Sequence, residues 1–398
     1  MPITCQSSFD TAFIKMALLR NFCAFIIVLI SILSASSLEL LPKNILDKAK
    51  DITKANVRIG ERLATNVPML LPSLQEVSEF GKQSLLGYPF EAVALGIHSF
   101  CSAAVASNGT EPYFEPDLSL MNYVLMTESG NFSYPLSKAQ DLWESPEFLR
   151  ELDTVIVVTG WLTSINDEKN DAVTELYKAY RARGGHNFIV IDTVSQLTTL
   201  YTWSSFNTNA LGNALGDGLA KLINYVPVRS IHVIGHSLGA HISGAAGRRF
   251  QILTGSDLPR ITGLDPANPC FNEGESLSGL SRGDASWVDI IHSNVRVLGK
   301  RDPIGDIDFY PNGLNSIQPG CFTVVCSHSR AWQYYAESVY PGNENNFVGV
   351  KCNSLSAVVD KLCNAQTAIM GYNVNLKRKG SFFLRVNSEA PYGRKNDF

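Results

Sequence analysis

Alternation between apolar β-branched runs and amphipathic stretches dominates the chain after residue 150. Residues 154–159 form a continuous β-branched run, which is typical of a strand buried on both faces of a sheet. Residues 167–183 place apolar side chains on one helical face, and Gly184-Gly185 marks the end of that helix. We therefore predict an α/β fold, with a mostly parallel central sheet and helices on both faces. The same alternation predicts strands at 187–193, 230–235, 261–264 and 287–291, and helices at 209–226, 240–250 and 330–339.

Residues 38–100 have a different pattern. Leu46, Ala49, Ile52 and Ile59 recur near helical spacing among lysine, aspartate and glutamate side chains. The polar face is mixed in sign rather than basic, which favours a helix docked on the main domain over a membrane-surface helix. We therefore predict a helical N-terminal extension over residues 38–100 and one α/β domain over residues 101–395.

The first 37 residues have the pattern of a secretory signal peptide. Lys15 and Arg20 precede an apolar run at 22–33, and small residues follow at 34–37. The run is too short to span a bilayer comfortably, so we expect cleavage after Ser37 and not a retained anchor. Met16 is an alternative start. We predict a secreted, extracellular protein that is not an integral membrane protein.

Composition narrows the classes of partner and bond. The 398 residues are 45% hydrophobic, enough for one large core or two ordinary ones. A net charge of -4 without a basic block argues against nucleic acid as a partner. Six cysteines remain beyond the predicted signal peptide, a number that fits three disulfides with many pairings open. Asn108 and Asn131 begin glycosylation sequons, and the sequence makes no prediction about oligomeric state.

A candidate nucleophile lies at the centre of residues 235–241, Gly-His-Ser-Leu-Gly-Ala-His. The segment connects a predicted strand to a predicted helix, with Ser237 at the apex of the turn. Gly235 and Gly239 allow strand and helix to pack closely, and the strained turn exposes the serine hydroxyl. The Gly-x-Ser-x-Gly pattern alone is common by chance. Its place between strand and helix favours the interpretation as a serine nucleophile.

A serine nucleophile needs a base, and the base needs an acid that orients it. Asp265 is the best candidate for the acid because it follows the strand at 261–264, and catalytic groups gather at the carboxyl ends of parallel strands. Asp289 also follows Ser237, and Asp284 lies in a Ser-Arg-Gly-Asp segment, where a turn or capping role is usual.

Two histidines follow the candidate acid. His292 ends a predicted buried strand, where a core or supporting role is the alternative to a catalytic one. His328 follows Cys326-Ser327 on a predicted loop that enters the helix at 330. We favour His328 as the base. His241 lies one helical turn beyond Ser237 and is too close along the chain to serve.

Stabilisation of the reaction's oxyanion requires two backbone N–H groups. One is expected from Leu238, the residue after the nucleophile, and the other from Trp161, which lies on the loop after the first parallel strand. The Trp161 ring also fits a core position, and both roles are compatible. The sequence contains no His-Glu-x-x-His or paired Cys-x-x-Cys, so neither a metal nor a cofactor is expected.

The order of these motifs resembles the pancreatic lipase family over roughly residues 150–390. The resemblance implies an α/β-hydrolase fold that acts on lipid esters at a membrane or lipid droplet surface. It assigns nucleophile, acid and base to Ser237, Asp265 and His328, in agreement with the residue-level argument. It also implies the disulfides Cys321–Cys326 and Cys352–Cys363, which leaves Cys101 with Cys270. The segments that carry it are 235–241, 246–248, 261–267, 289–292, 308–313, 319–321 and 326–328.

A narrower resemblance is to dipteran yolk proteins (vitellogenin-like). These are lipase-derived storage proteins in which glycine replaces the serine, whereas Ser237 and His328 are both present here. The resemblance implies an insect lipase of that branch with its chemistry retained. The alternative is a catalytically weak or inactive protein that stores or binds lipid. The segments are 280–285, 335–339, 341–347 and 386–388.

The chain departs from the digestive lipases in four places. Thr159-Gly160 stands where they have His-Gly, and only four residues separate the cysteines that correspond to the pair around their lid, Cys321 and Cys326. The second covering loop, at 294–306, is short, and no C-terminal β-sandwich is expected. Reduced lids resemble the phospholipase A1 members, so phospholipid and galactolipid stand beside triacylglycerol as predicted substrates.

Overall fold

The computed structural model describes residues 116, 118–160, 171–193, 205, 207–271, 277, 279–360 and 362–395. All of them belong to the unit Cys101–Phe398. Several predicted features lie outside the described residues: the signal peptide, the helical extension, Trp161, Cys101 and Asn108.

One sheet of eleven strands runs through the described residues. Its seven central strands, in the order β4-β3-β5-β6-β7-β8-β11, are mutually parallel, and antiparallel pairs extend both edges. The predicted mostly parallel α/β architecture is thereby confirmed. The strands are β1 Asn122–Thr127, β2 Gly130–Pro135, β3 Asp153–Val158, β4 His186–Asp192, β5 Ile231–His236, β6 Arg260–Leu264, β7 Val288–Ile291, β8 Ile307–Pro311, β9 Val348–Cys352, β10 Thr367–Ile369 and β11 Gly380–Leu384.

Two pairs of helices cover the sheet. The connections β3–α2–β4 and β4–α3–β5 run in opposite directions along the strand order, so right-handed crossovers put α2 and α3 on opposite faces. Helix α3 packs with α4, and helix α2 packs with α5. The described helices are α1 Ala139–Trp143, α2 Asp171–Arg183, α3 Thr208–Leu222, α4 Leu238–Thr254, α5 Val324–Val339 and α6 Leu355–Asp360.

Helix α5 begins earlier than predicted, at Val324 instead of residue 330. Thr323 caps it, because the side chain accepts a hydrogen bond from Cys326 N at 3.1 Å. A disulfide from Cys321 to Cys326 fixes the same turn. His328 therefore lies inside a helix, and the prediction that it lies on a loop is wrong.

Sequence patterns did not predict the parallel strands β8 and β11, nor the four antiparallel strands at the two edges. The antiparallel hairpin β1–β2 pairs with β4 at one edge, and β9 and β10 form the other. These strands are short or half-exposed, so they lack the continuous apolar runs of the central strands. Their position depends on long-range pairing.

Helices α3 and α4 approach closely because glycines line their contact. A Cβ on Gly212 would overlap Ala245 Cβ and lie 2.6 Å from the carbonyl oxygen of Ile242. A Cβ on Gly216 would lie 2.7 Å from Arg249 Cβ. This contact sets the distance between α3 and α4. Because Ser237 directly precedes α4, the contact also affects the position of Ser237.

We predict that Gly212→Ala lowers the free energy of unfolding by about 1–3 kcal/mol, because overpacking at the helix contact outweighs the gain in helix propensity. Urea unfolding followed by circular dichroism measures the change. Asn213→Ala, on the exposed side of the same helix, is the matched control and should be neutral or stabilising. An unchanged urea midpoint for Gly212→Ala would show that the contact is loose.

Candidate active site

Ser237 occupies the sharp turn between β5 and α4. Its backbone has φ 57° and ψ -123°, a conformation that L-residues rarely adopt outside strained functional turns. A Cβ on Gly235 would overlap Ala240, and one on Gly239 would overlap the carbonyl oxygen of Val158. Gly235 therefore lets β5 and α4 meet at this angle, and Gly239 lets α4 lie against the end of β3.

Asp265 follows β6 directly and is fully buried. Its carboxylate accepts hydrogen bonds from two consecutive backbone amides: Ser293 N at 2.7 Å and Asn294 N at 3.0 Å, both on Oδ1. Gly299 lies against the same carboxylate, and any side chain there would overlap it. These contacts satisfy and orient a negative charge that burial alone would disfavour.

His328 lies in the second turn of α5, with its ring almost buried. Its Nδ1 lies 2.5 Å from Asp265 Oδ2. The carboxylate oxygen can only accept, so the proton is on Nδ1 and the Nε2 lone pair is available for another proton. The predicted acid and base are thus in direct contact, although 63 residues separate them along the chain.

Two backbone hydrogen bonds join Ser237 to the residues on either side of Asp265-Pro266. Ser237 N donates to Leu264 O at 3.1 Å, and Ala267 N donates to Ser237 O at 3.2 Å, on either side of Asp265-Pro266. Gly160 faces the serine side chain, and a Cβ there would lie 3.2 Å from Ser237 Oγ. Among the described residues no hydrogen bond joins Ser237 Oγ to the His328 ring, and such bonds commonly tighten only when substrate is bound.

Of the two predicted oxyanion donors, the structure describes Leu238 but not Trp161. Leu238 is the first residue of α4, where a backbone N–H has no acceptor within its own helix and the helix dipole favours negative charge. Trp161 lies outside the described residues, so its role stays a prediction.

The other two aspartates considered for the catalytic acid, Asp284 and Asp289, form ion pairs with arginines. Asp284 pairs with Arg248 at 2.7 Å, although burial raises the pKa of its carboxyl. Asp289 accepts from both Nε and Nη2 of Arg260, at 2.7 and 2.9 Å, and from the Thr262 hydroxyl. Both aspartates therefore tie together strands and helices of the fold.

His292 and His241 are likewise held within the fold. The His292 ring is fully buried between Asp308 Oδ1 and Lys300 O, each 2.9 Å from a ring nitrogen, and stacks on Tyr310. His241 Nδ1 accepts from Leu280 N, and burial lowers the pKa of this ring to about 3. Neither ring faces the Asp265 carboxylate.

Sequence reasoning did not assign a role to His236, the residue directly before Ser237. The centroid of its ring lies 4.6 Å from that of His328, and its Nε2 lies 3.3 Å from the His328 carbonyl oxygen. Burial, followed by the neighbouring His328, lowers the pKa of His236 well below its usual range. Its adjacency to Ser237 in the motif was the available signal.

The remaining predicted sites are distributed over the surface and the loops. The disulfides Cys321–Cys326 and Cys352–Cys363 are both present. Cys270 is disulfide-bonded, and its predicted pairing with Cys101 stays a prediction. Asn131 is exposed on β2. Within the described residues, no cluster of three or more His, Cys, Asp or Glu side chains is placed to hold a metal ion.

A helix able to cross a bilayer, long and apolar enough over 18 residues, does not occur in the part of the chain that the structure describes. The described helices are amphipathic or short, and they pack on the sheet or on one another.

Comparison with known proteins agrees with the resemblance inferred from the motifs. Vitellogenin-3 of Drosophila melanogaster is 38% identical over 228 residues, which cover 57% of this chain and 54% of that protein. Lipoprotein lipase of Neovison vison is 33% identical over 276 residues, which cover 60% of this chain and 56% of that protein. The chain therefore spans about half the length of these relatives.

Among solved structures, a hyperthermophilic esterase from Pyrobaculum calidifontis is 15% identical, with a TM-score of 0.23, over 50% of this chain and 59% of that one. That correspondence is too distant to add to the topology described above. The lipase family model matches residues 115–392, well over half of the chain. The predicted likeness to lipases and to dipteran yolk proteins is confirmed, and the chain belongs to the lipase family.

Proposed function

We propose that this protein hydrolyses carboxylic esters of lipids through Ser237, His328 and Asp265. The observation that carries the proposal is the hydrogen bond from His328 Nδ1 to the buried Asp265 carboxylate, 2.5 Å long. It leaves Nε2 of the same ring unprotonated, at the end of the sheet where the strained turn presents a serine. A base of fixed tautomer that can receive the proton of a serine hydroxyl is the arrangement that acyl transfer requires.

In the proposed reaction, Ser237 Oγ attacks the ester carbonyl carbon while His328 Nε2 accepts the hydroxyl proton. Asp265 stabilises the resulting imidazolium, and the N–H groups of Leu238 and Trp161 stabilise the oxyanion. His328 then protonates the departing alcohol, which leaves an acyl group on Ser237. Water, activated by His328, releases the fatty acid and regenerates the hydroxyl.

A lipid surface is the proposed location of the substrate, and the loop beside His328 supports this. Phe322 has 97% of its surface exposed, and the neighbouring Val325 has 45%. The disulfide between Cys321 and Cys326 and the Thr323 cap hold this loop at the start of α5. A large aromatic side chain almost fully in water, on a constrained loop six residues before the base, fits contact with an apolar phase.

The finer substrate class follows from the size of that loop. With four residues between its cysteines, it does not cover a site as a longer lid does. We therefore propose phospholipid or galactolipid esters, cleaved as by a phospholipase A1, together with triacylglycerol. The disulfides and the exposed sequon at Asn131 support secretion.

Storage or binding of lipid without catalysis is the alternative function. It is favoured by the 38% identity to vitellogenin-3 and by Thr159 at the start of the oxyanion loop. Turnover of any ester that depends on Ser237 separates the two proposals.

We predict that the purified protein hydrolyses at least one of triolein, phosphatidylcholine and a galactolipid, and that Ser237→Ala reduces the rate by about 10⁴-fold or more because the nucleophile is lost. Fatty-acid release measures the rate, and a fluorophosphonate probe should label Ser237 of the folded wild type. Failure of both labelling and turnover would favour the storage protein.

We predict that Asp265→Asn reduces kcat by about 10⁴-fold with the fold retained, because the asparagine amide donates to Nδ1 and shifts the His328 proton to Nε2. Steady-state kinetics on a short-chain ester measure the loss. Asp217→Asn, which alters an exposed ion pair with Arg249, is the control of equal chemistry. Comparable kcat values for the two variants would remove Asp265 from the mechanism.

We predict that Phe322→Ser lowers hydrolysis of phosphatidylcholine vesicles about tenfold or more, since burial of a phenylalanine in an apolar phase contributes about 1.5–3 kcal/mol. Hydrolysis of a soluble short-chain ester should be unchanged. Ile252→Ser, which alters another exposed apolar side chain near the far end of α4, is the matched control. Equal loss on both substrates would show that Phe322 acts on the site itself and not on a lipid surface.

A further inference from the structure

The carbonyl oxygen of His328 receives two side-chain donors in addition to its place in α5. His236 Nε2 lies 3.3 Å from it and Ser293 Oγ lies 3.4 Å from it. A carbonyl oxygen only accepts, so His236 bears its proton on Nε2. Helix α5 is therefore tied down at the residue that carries the proposed base.

The two donors come from the elements that carry the other members of the site. His236 is the last residue of β5 and directly precedes Ser237. Ser293 N donates to Asp265 Oδ1 at 2.7 Å, while the hydroxyl of the same residue donates to His328. The carbonyl of His328 is thus the point where the nucleophile strand, the loop that holds the acid and the helix of the base meet.

The geometry points to His236 as a positioning residue for His328, and this inference rests on the proposed hydrolase function. Its Nε2–H holds the backbone of His328, and its ring packs against the His328 ring at a centroid distance of 4.6 Å with 40° between the planes. The base is therefore fixed through its main chain by the residue adjacent to the nucleophile. Asp265 holds the same ring through the hydrogen bond at Nδ1.

The protonation state of His236 is consistent with this role. Burial lowers the pKa of His236 well below its usual range, so its ring stays neutral when His328 accepts a proton. A neutral neighbour does not repel the imidazolium, whereas a second cation at 4.6 Å would. His236 therefore supports the ring without competing for the serine proton.

The proposal is tested with His236→Gln and His236→Asn. The glutamine amide nitrogen takes the place of Nε2 and keeps the donor, whereas the shorter asparagine cannot reach the His328 carbonyl. We expect His236→Asn to lose about tenfold in kcat with KM nearly unchanged, since a misplaced base affects the chemical step. We expect His236→Gln to stay within about threefold of the wild type.

His232→Gln is the control from the same strand. Its imidazole is hydrogen-bonded to the Thr262 hydroxyl, and no hydrogen bond joins it to His328 among the described residues, so its replacement should alter stability and leave kcat unchanged. Ser293→Ala removes the other donor to the same carbonyl and should also lower kcat, which provides a second test if His236→Asn does not fold. Wild-type kcat in a folded His236→Asn, or equal losses in the Asn and Gln variants, would overturn the proposal.

A readout that needs no turnover separates this inference from the proposed function. The downfield proton resonance of His328 Nδ1–H reports the hydrogen bond to Asp265, and in His236→Asn it should exchange with water about tenfold faster than in the wild type. The glutamine variant should retain slow exchange. An inactive wild type with this pattern would refute the hydrolase and keep the positioning role, whereas identical exchange in all three proteins would refute the positioning role.

Discussion

A buried carboxylate with several donors is the interaction on which the candidate site depends. Asp265 is withdrawn from water and accepts from two backbone amides and from the His328 ring. A charge in that position is tolerated only while all of its donors remain in place, because burial without partners costs several kcal/mol. The arrangement of the loop after β7, the helix α5 and the strand β6 therefore depends on the hydrogen bonds of one carboxylate.

The same coupling extends to the turn that carries Ser237. The backbone of Ser237 is strained, and two features stabilise this conformation. Gly235 and Gly239 let α4 lie close to the strands, and the Ser237 amide donates a hydrogen bond to Leu264 O. Helix α4 in turn rests on α3 through glycine contacts. Strain at the apex is thus balanced by close packing along a whole helix pair, which holds the hydroxyl where the proposed chemistry needs it.

The proposed lipid-surface contact differs in kind from these buried interactions. Phe322 contributes almost no packing to the folded chain, since nearly all of its surface is in water. A loop closed by a disulfide and capped by Thr323 can carry such a side chain without disturbing the base six residues further on. In the proposed function, the rigid core positions the reacting groups and the exposed loop meets the substrate phase.

The strand, the serine turn and the helix after it were predictable because their signals are local: an apolar run, two glycines and an amphipathic stretch within some 25 residues. Five of the seven central parallel strands, β3 to β7, and the position of Asp265 after β6 follow from the same short-range patterns. Edge strands such as β9 and β10 were not predictable, since their residues take a strand conformation through pairing with distant segments. The sequence also placed His328 on a loop, because the Thr323 cap was not recognised.

The residue pattern favoured His328 over His292 as the base, but only the tertiary structure brings His328 against the Asp265 carboxylate, across 63 residues. It likewise decided that His236 and Ser293 meet the His328 carbonyl and that the amides of Ser293 and Asn294 hold Asp265. Local patterns determine what each segment becomes, because backbone sterics and periodicity act over a few residues. Contacts between distant segments depend on how the helices and strands pack, and no short stretch of the chain encodes that packing.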